Sequence, residues 1–370
     1  MTLESLMPNR TERVNRARNE LAMGMPSLVK HGYSAAICVA LETVTEDRFF
    51  ALKEAIGTPT LVISPRRARA IMSEVAAANL GDSPVRIRPP ETASFHWYQR
   101  LANPKFDREA GPAGPLHLLR SGDSTLHDAA LRLVKSVELL PAVALFPVAA
   151  DERLITDLGL LPLEAADALA DLADELALEP VAAARLPLEV HHDSELHVFR
   201  AADGQREHYA IEIGRPNRTE PVLSRLHSAC FTGDILGSLK CDCGPQLRAA
   251  LAQMGEEGAG VLLYLNQEGR GIGLGNKMRV YDLQSHGLDT VEANHQLGYE
   301  DDERDFRLAA TMLKTLGFDR VRLLTNNPGK VDRISSSGVT VVERIPLRVG
   351  ETEQNQNYLA TKARKSGHFL

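Results

Sequence analysis

The crowding of its cysteines restricts this chain more than any other feature. Three of the four, Cys230, Cys241 and Cys243, fall within fourteen positions as C-x10-C-x-C. A Cys-x-Cys pair on a tight turn aims both sulfurs at one point, and Gly244 lets the chain turn away without a side-chain clash. The fold must then bring Cys230 back to that point. Three thiolates suit a tetrahedral zinc with one position left for water, the arrangement of a catalytic site. Zinc would make hydroxide available there near neutral pH. The same spacing also fits three small buried core residues, or a structural site closed by a fourth ligand such as His227. Cys38 lies in a buried-strand pattern and reads as inert. Four cysteines in 370 residues are no disulfide scaffold, and their crowding points to metal in a reducing cytosol.

The length suits two domains. Hydrophobic residues at 44% and charged residues at 25% are the balance of a globular protein able to bury a core in each half. A formal net charge of -7 argues against wrapping long nucleic acid. It leaves room for a small anion in a local basic pocket. No apolar run reaches the roughly 20 residues of a membrane span, and Met1 to Arg18 carries mixed charges with no secretory apolar stretch.

Apolar runs and helical spacing alternate along the chain. In the first half, helices are expected over Arg10–Met23, Thr45–Ile56, Pro65–Ala77, Leu126–Val137 and Pro162–Leu176, and strands over Ala35–Leu41, Thr60–Ile63 and Val143–Pro147. Ser83 to Pro115 reads as loop with short strands. Leu186 to Ser194, with Pro187, His191 and His192, reads as a solvated linker. In the second half, a hairpin around Asp203-Gly204 joins strands Leu196–Arg200 and His208–Ile213. Strands follow at Val222–His227, Val261–Leu265, Val321–Leu324 and Val339–Ile345, with helices at Gln246–Glu257, Lys277–His286 and Arg304–Leu316. The expected class is α/β (α+β), two domains, 1–188 and 189–370, each a mixed sheet with packed helices.

Two segments that follow apolar strands look built for anions. The first, Gln267-Glu268-Gly269-Arg270-Gly271-Ile272-Gly273-Leu274-Gly275, has glycines that let backbone N–H groups approach phosphate, with Arg270 and Lys277 adding charge. A flexible glycine loop is the plainer reading. The second, Thr325-Asn326-Asn327-Pro328-Gly329-Lys330, offers a hydroxyl and an ammonium at a helix start, or an ordinary Asn-Pro turn. Asp301-Asp302-Glu303-Arg304-Asp305 is either a solvated helix start or an acid–arginine set for phosphate-ester chemistry.

Taken in order, these motifs resemble the GTP cyclohydrolase II family. The resemblance is carried by Arg225-Leu-His-Ser-Ala-Cys230-Phe-Thr-Gly-Asp234, Ser238-Leu-Lys-Cys241-Asp-Cys243-Gly244, Gln267-Glu-Gly-Arg270, Asp289-Thr290-Val-Glu-Ala-Asn294 and Leu323-Leu-Thr325-Asn-Asn-Pro-Gly-Lys330. It runs from about Leu196 to the terminal Lys365-Ser-Gly-His-Phe-Leu370. It implies a cytoplasmic hydrolase acting on cyclic amidine C–N bonds. GTP would give formate, pyrophosphate and 2,5-diamino-6-(5-phosphoribosylamino)pyrimidin-4(3H)-one, the first step of riboflavin biosynthesis. By this resemblance Cys230, Cys241 and Cys243 would hold one zinc per subunit. Arg225, Leu226, His227, Ser228, Ala229, Gln246, Glu268, Gly269, Arg270, Thr290, Thr325 and Lys330 would contact GTP, with Mg2+ on the triphosphate. Asp302 would accept a proton and Tyr281 would act near the guanine ring. The family role of Arg304 is nucleophile on the α-phosphate. A protonated guanidinium has no free lone pair, so stabilising charge on the phosphoryl group in flight is its physical counterpart. The family reads His-Ser-Glu-Cys where this chain has Ala229, which removes one carboxylate beside a zinc ligand. A homodimer is implied, with no nucleic-acid or membrane partner.

The first half resembles 3,4-dihydroxy-2-butanone-4-phosphate synthase through Ala40-Leu-Glu-Thr-Val-Thr-Glu46, Leu61-Val-Ile-Ser-Pro-Arg-Arg-Ala-Arg69, Gly114-Pro-Leu-His-Leu-Leu-Arg120 and Leu139-Leu-Pro-Ala-Val-Ala-Leu145. The synthase's acidic run is replaced by Lys30-His-Gly-Tyr-Ser-Ala-Ala36, its Gly-His-Thr-Glu is lost near Ser124 to Asp128, and its Cys-Glu becomes Phe146-Pro147. Without clustered carboxylates nothing there holds a hard cation, so a degenerate, non-catalytic domain is expected. Two other readings of the whole chain are a variant that stops at the formamide intermediate and a GTP-binding regulator without turnover.

Overall fold

The computed structural model describes residues 6–110, 115–149, 153–173, 177–201 and 206–355. The chain forms two compact units, each built on a mixed seven-stranded sheet with packed helices. This is the α/β class expected.

The first unit comprises Met1–Asp174 and Met278–Asp302. Its strands are β1 (Ser27–His31), β2 (Ser34–Ala40), β3 (Thr60–Ile63), β4 (Val85–Arg88), β5 (His117–Leu118), β6 (Ala142–Val148) and β7 (Pro162–Glu164). They lie in the order β5-β4-β3-β6-β2-β1-β7, antiparallel except for the parallel β1–β7 pair. Side chains alternate across β2. Ile37 and Val39 enter one core with Phe49, Leu61, Tyr98 and Phe146. Ala36, Cys38 and Ala40 enter another with Val14, Leu21, Leu133 and Leu145. Burial on both faces is why this strand is apolar from Ala35 to Ala40. The helices are α1 (Arg10–Ala22), α2 (Glu46–Ile56), α3 (Pro65–Ile71), α4 (Glu74–Ala77), α5 (Phe95–Ala102), α6 (Asp107–Ala110), α7 (Thr125–Ser136), α8 (Arg153–Asp157) and α9 (Ala165–Ala173). Asn9 and Glu12 close a capping box on α1.

The structure corrects several expected boundaries. The helix expected over Pro65–Ala77 is broken at Met72, which is extended, and restarts after Ser73. The expected loop contains α5, capped by Ser94, with Phe95, Tyr98 and Leu101 buried at helical spacing. Pro162 opens a strand rather than a helix, because Pro162–Glu164 pairs with β1.

The second unit comprises Glu175–Lys277 and Glu303–Leu370. Its strands are β8 (Leu178–Arg185), β9 (Ser194–Ala201), β10 (Glu207–Gly214), β11 (Val222–Ser228), β12 (Ala259–Leu265), β13 (Arg320–Leu324) and β14 (Thr340–Ile345). The order is β14-β13-β11-β12-β10-β9-β8. Strands β14, β13, β11 and β12 are parallel, and β10, β9 and β8 continue antiparallel. The remaining helices are α10 (Cys243–Glu257), the short turn α11 (Glu268–Gly271), α12 (Gly273–Ser285), α13 (Thr290–Leu297), α14 (Arg307–Thr315) and α15 (Pro328–Ser336). Helix α12 starts in the second unit and ends in the first.

The expected linker at Leu186–Ser194 is the turn of the β8–β9 hairpin. Leu186 N donates to Ser194 O at 2.9 Å, and Leu188 and His191 exchange backbone bonds. Strand β8 was hidden because Val181-Ala-Ala-Ala-Arg185 has no alternation, being exposed at the sheet edge. The first break falls between Asp174 and Glu175, and residues 278–302 group with the first unit. The expected turn at Asp203-Gly204 and the terminal Lys365–Leu370 motif lie outside the described residues.

Candidate active site

Three parallel neighbours, β13, β11 and β12, run side by side, with Ser228 opposite Leu265 at their carboxyl ends. The cysteine segment leaves β11, the glycine-rich segment leaves β12, and Thr325–Lys330 leaves β13. A sheet of this kind binds ligands beyond the carboxyl ends of its strands. Motifs that follow Ser228, Leu265 and Leu324 in the sequence thus emerge at one edge.

After β11 the chain makes a π-helical turn, Phe231–Ile235, and returns through Cys241 to α10. The three sulfurs lie within 4.8 Å of one another, and Cys230 Sγ is 3.7 Å from Cys241 Sγ. Tetrahedral zinc with Zn–S near 2.3 Å sets its sulfurs about 3.8 Å apart. A disulfide needs about 2.05 Å, so the donor set fits zinc and not a cross-link. Two glycines make the cluster possible. A Cβ on Gly233 would lie 2.8 Å from Cys241 Sγ and 3.0 Å from Cys230 Sγ. A Cβ on Gly244 would lie 2.1 Å from the Gly233 carbonyl oxygen. Gly244, in the first turn of α10, is thus required for close approach of that helix to the backbone of the π-turn, not for the turn expected of it.

The electrostatics favour thiolate. Bonds from the Cys241 and Cys243 thiols hold the Cys230 thiol far below its usual range, and the Lys277 ammonium assists. As partner to Cys230, Cys241 is raised. Lys277 Nζ donates to Cys230 Sγ at 3.1 Å, Thr232 Oγ1 at 2.9 Å and Glu268 Oε1 at 2.8 Å. Glu268 also accepts from Gly269 N and, through Oε2, from Phe231 N at 2.6 Å. It thereby ties the glycine-rich loop to the cysteine turn. Gly269 and Arg270 both take left-handed backbone, φ 62° and 64°. Arg270 is a non-glycine residue held in a strained conformation, a common mark of a binding loop.

His227 is not a fourth ligand here. Its Nε2 lies 3.0 Å from both Asp234 oxygens, and its ring stacks on Tyr264. Burial lowers its pKa, against the pull of Asp234. Asp234 also accepts from Tyr264 Oη at 2.9 Å and Cys230 N at 3.0 Å. Asp234 and Tyr264 fix the first cysteine, and neither was singled out from sequence.

Arg225 is buried, and desolvation pushes its guanidinium down to about 10. It donates to Leu324 O at 2.9 Å and to Gln246, which in turn donates to Asp242. Beside it, Arg304 donates to Ser228 Oγ at 3.2 Å and Lys330 to Leu226 O at 2.9 Å. Arg304, Lys330 and Arg333 converge on the buried Phe306 ring, at 4.9, 5.4 and 5.3 Å from its centroid. Arg333 and Phe306 belong to no motif read from the sequence. Thr325 Oγ1 accepts from Asn327 N, and Asn327 caps α15 through Gly329 N. Ala229 donates its N–H to Leu265 O at 2.8 Å.

Tyr281, Thr290 and Asp302 lie in the stretch that groups with the first unit. Tyr281 is half-buried on α12. Thr290 is buried at the start of α13 and accepts from Gln284 Nε2 at 2.9 Å. Cys38, in the first unit, is wholly buried, and desolvation pushes its thiol up to about 12.

The family model described as GTP cyclohydrolase II matches residues 179–346. A protein of Azospirillum brasilense named GTP cyclohydrolase-2 is 40% identical over 346 residues, 91% of this chain and 88% of that protein. One of the same name from Xylella fastidiosa is 39% identical over 363 residues, 97% and 88% respectively. A shorter one, from Cronobacter sakazakii, is 55% identical over 195 residues, 53% of this chain and 98% of its own. A solved two-domain 3,4-dihydroxy-2-butanone 4-phosphate synthase of A. baumannii aligns over 91% of this chain and 99% of that one, at 15% identity and a TM-score of 0.31.

Proposed function

The chain belongs to the GTP cyclohydrolase II family, and on that premise we propose that it hydrolyses GTP to formate, pyrophosphate and 2,5-diamino-6-(5-phosphoribosylamino)pyrimidin-4(3H)-one. The observation that carries this reading is the three-sulfur cluster at the carboxyl edge of three parallel strands, beside a group of cations.

Cys230, Cys241 and Cys243 hold zinc in this reading, one ion per subunit. When bound, zinc supplies a Lewis acid that makes a water nucleophile available near neutral pH. Lys277 stabilises the thiolate form of Cys230, and Asp234 fixes the backbone of that residue. Arg304, Lys330 and Arg333 take the triphosphate, which Mg2+ accompanies. Phe306 holds their charged heads together and keeps water from one side, so charge on the departing pyrophosphate meets cations already in place. Arg270, Gly269 and Thr325 offer further donors to the same groups. Arg225 and Gln246 brace the start of α10 and, with Leu226, His227, Ser228 and Ala229, form the wall against which GTP lies. Glu268 has used three of its roughly four acceptor sites on protein donors, which leaves room for one substrate N–H. Asp302 accepts a proton, Tyr281 orients the reacting group at the ring, and Thr290 contacts the nucleotide.

The first half serves as a non-catalytic synthase-like domain. A homodimer is supported by large apolar side chains exposed on and after the π-turn, Phe231, Ile235, Leu236 and Leu239.

One assay tests the reading. Purified, zinc-loaded protein with GTP and Mg2+ should release formate and pyrophosphate in equal amounts. Tyr281→Phe should release pyrophosphate and accumulate the formamide. Normal formate yield from that variant would remove Tyr281 from the ring chemistry.

A further inference from the structure

Three residues assigned to the reaction, Tyr281, Thr290 and Asp302, sit in a stretch whose partners are in the first half of the chain. The ties are specific. Two residues before Tyr281, Arg279 donates to Glu42 Oε1 at 2.6 Å, while the other oxygen of Glu42 accepts from Leu140 N at 2.6 Å. Arg67, wholly buried, pairs with both oxygens of Asp107 at 2.6 and 2.7 Å. It also donates to Leu101 O at 2.8 Å and, at the end of α13, to Gln296 O at 3.1 Å. The Gln296 amide donates in turn to Asp107. Tyr299, 1% exposed, donates its hydroxyl to Leu139 O at 2.6 Å. Gly298 permits this seating, since a Cβ there would lie 2.7 Å from Ser64 Oγ and 3.1 Å from Arg67 Cβ.

This is more than apolar cover. A buried guanidinium bound to a carboxylate and to the carbonyls of Leu101, Gln296 and Arg100 has fixed geometry, and loss of a partner strands a charge. The stretch is therefore locked at both ends, through Arg279 on α12, and through Gln296 in the last turn of α13 and Tyr299 just beyond it. Its free ends join the zinc-side unit covalently, at Lys277–Met278 and Asp302–Glu303.

We propose that the first half of the chain is a positioning frame for GTP turnover, and that Glu42, Arg67 and Asp107 are positioning residues that set Tyr281, Thr290 and Asp302. This rests on the reaction roles given above. A group displaced by about 1 Å can lose about a hundredfold in rate, so the residues that seat Tyr281, Thr290 and Asp302 have purchase on their chemistry.

The test is a charge-swap cycle. Full-length Glu42→Arg, Arg279→Glu and the double variant are compared for zinc content, thermal midpoint, kcat, KM for GTP and the formate-to-pyrophosphate ratio. Arg67→Lys serves as a milder change at the buried node. The single variants are expected to keep wild-type zinc, to lose about tenfold or more in kcat, and to release less formate than pyrophosphate. The double variant should recover most of the rate and restore the ratio. Arg67→Lys should fall between, with the ratio shifted in the same direction. Single variants with a lowered midpoint but unchanged kcat, KM and product ratio would reduce the frame to structural support and overturn the proposal. A wild-type protein that releases neither product would instead sink the reading of the activity, and the frame with it. A single variant that lost zinc would place its effect on the metal site, which also contradicts the proposal.

Discussion

At the residue scale, the cysteine cluster depends on what is missing from Gly233. The sulfurs occupy the space where a side chain would stand, and a methyl group there would overlap two of them. Gly233→Ala should lower zinc affinity at least about tenfold, in line with overpacking costs of about 1–3 kcal/mol. Zinc retained after dialysis against a graded chelator series measures this. Cys38 supports a second prediction, for stability. Its folded pKa is raised from 9.0 to about 12 by burial. The folded chain keeps the proton where the unfolded chain gives it up, so the contribution is complete below pH 9 and is lost as pH rises toward 12. The slope from this one group is about 1.4 kcal/mol per pH unit. Urea midpoints measured across this range should fall less steeply in Cys38→Ala than in the wild type.

At the element scale, the site is the shared edge of β11, β12 and β13. Helix α13, which opens with Thr290, begins in a capping box in which Asp289 accepts from Val291 N and Glu292 N, and Glu292 accepts from Asp289 N. Asp289→Ala should cost about 1 kcal/mol and raise KM for GTP, with zinc content unchanged. Calorimetry and steady-state kinetics on one preparation check both. Much of this level was legible in the sequence. Strand β12 is an apolar run, and β13 ends in the apolar Val321 to Leu324 stretch broken by Arg322; each leads into polar motif residues, so the start of the loop announces itself, while β11 carries motif residues within the strand itself. Helix α13 carries an Asp-x-x-Glu cap within the Asp289 to Asn294 motif. Phe306 and Arg333 were not legible, because an aromatic at a helix start and an arginine on an amphipathic helix look like core and surface. Only the packing of α14 beside α15 makes them one cluster with Arg304 and Lys330. Asp234 was within the quoted motif, yet its threefold acceptor role needed the fold.

At the scale of the whole molecule, the two compact units are not two contiguous halves of the sequence, because residues 278–302 group with the first unit. Motif spacing implies a contiguous second domain, whereas the segment with Tyr281 and Thr290 is seated by residues far upstream. No local signal in residues 278–302 announces a partner more than two hundred positions away. The loss of acidic residues from Lys30 to Ala36 leads to a further expectation. Ribulose 5-phosphate with Mg2+ and the full-length chain should yield no butanone phosphate above a protein-free control; product formation would restore a synthase role to the first half. The seating of Arg67 also bears on how the molecule is made. Arg67 and its acceptor Gln296 are 229 positions apart. At synthesis rates of about 5 to 20 residues per second, roughly 10 to 50 s separate the two during translation. Through that interval the nascent first unit carries an unfilled seat, with an arginine and an aspartate waiting for an amide that the ribosome has not yet reached.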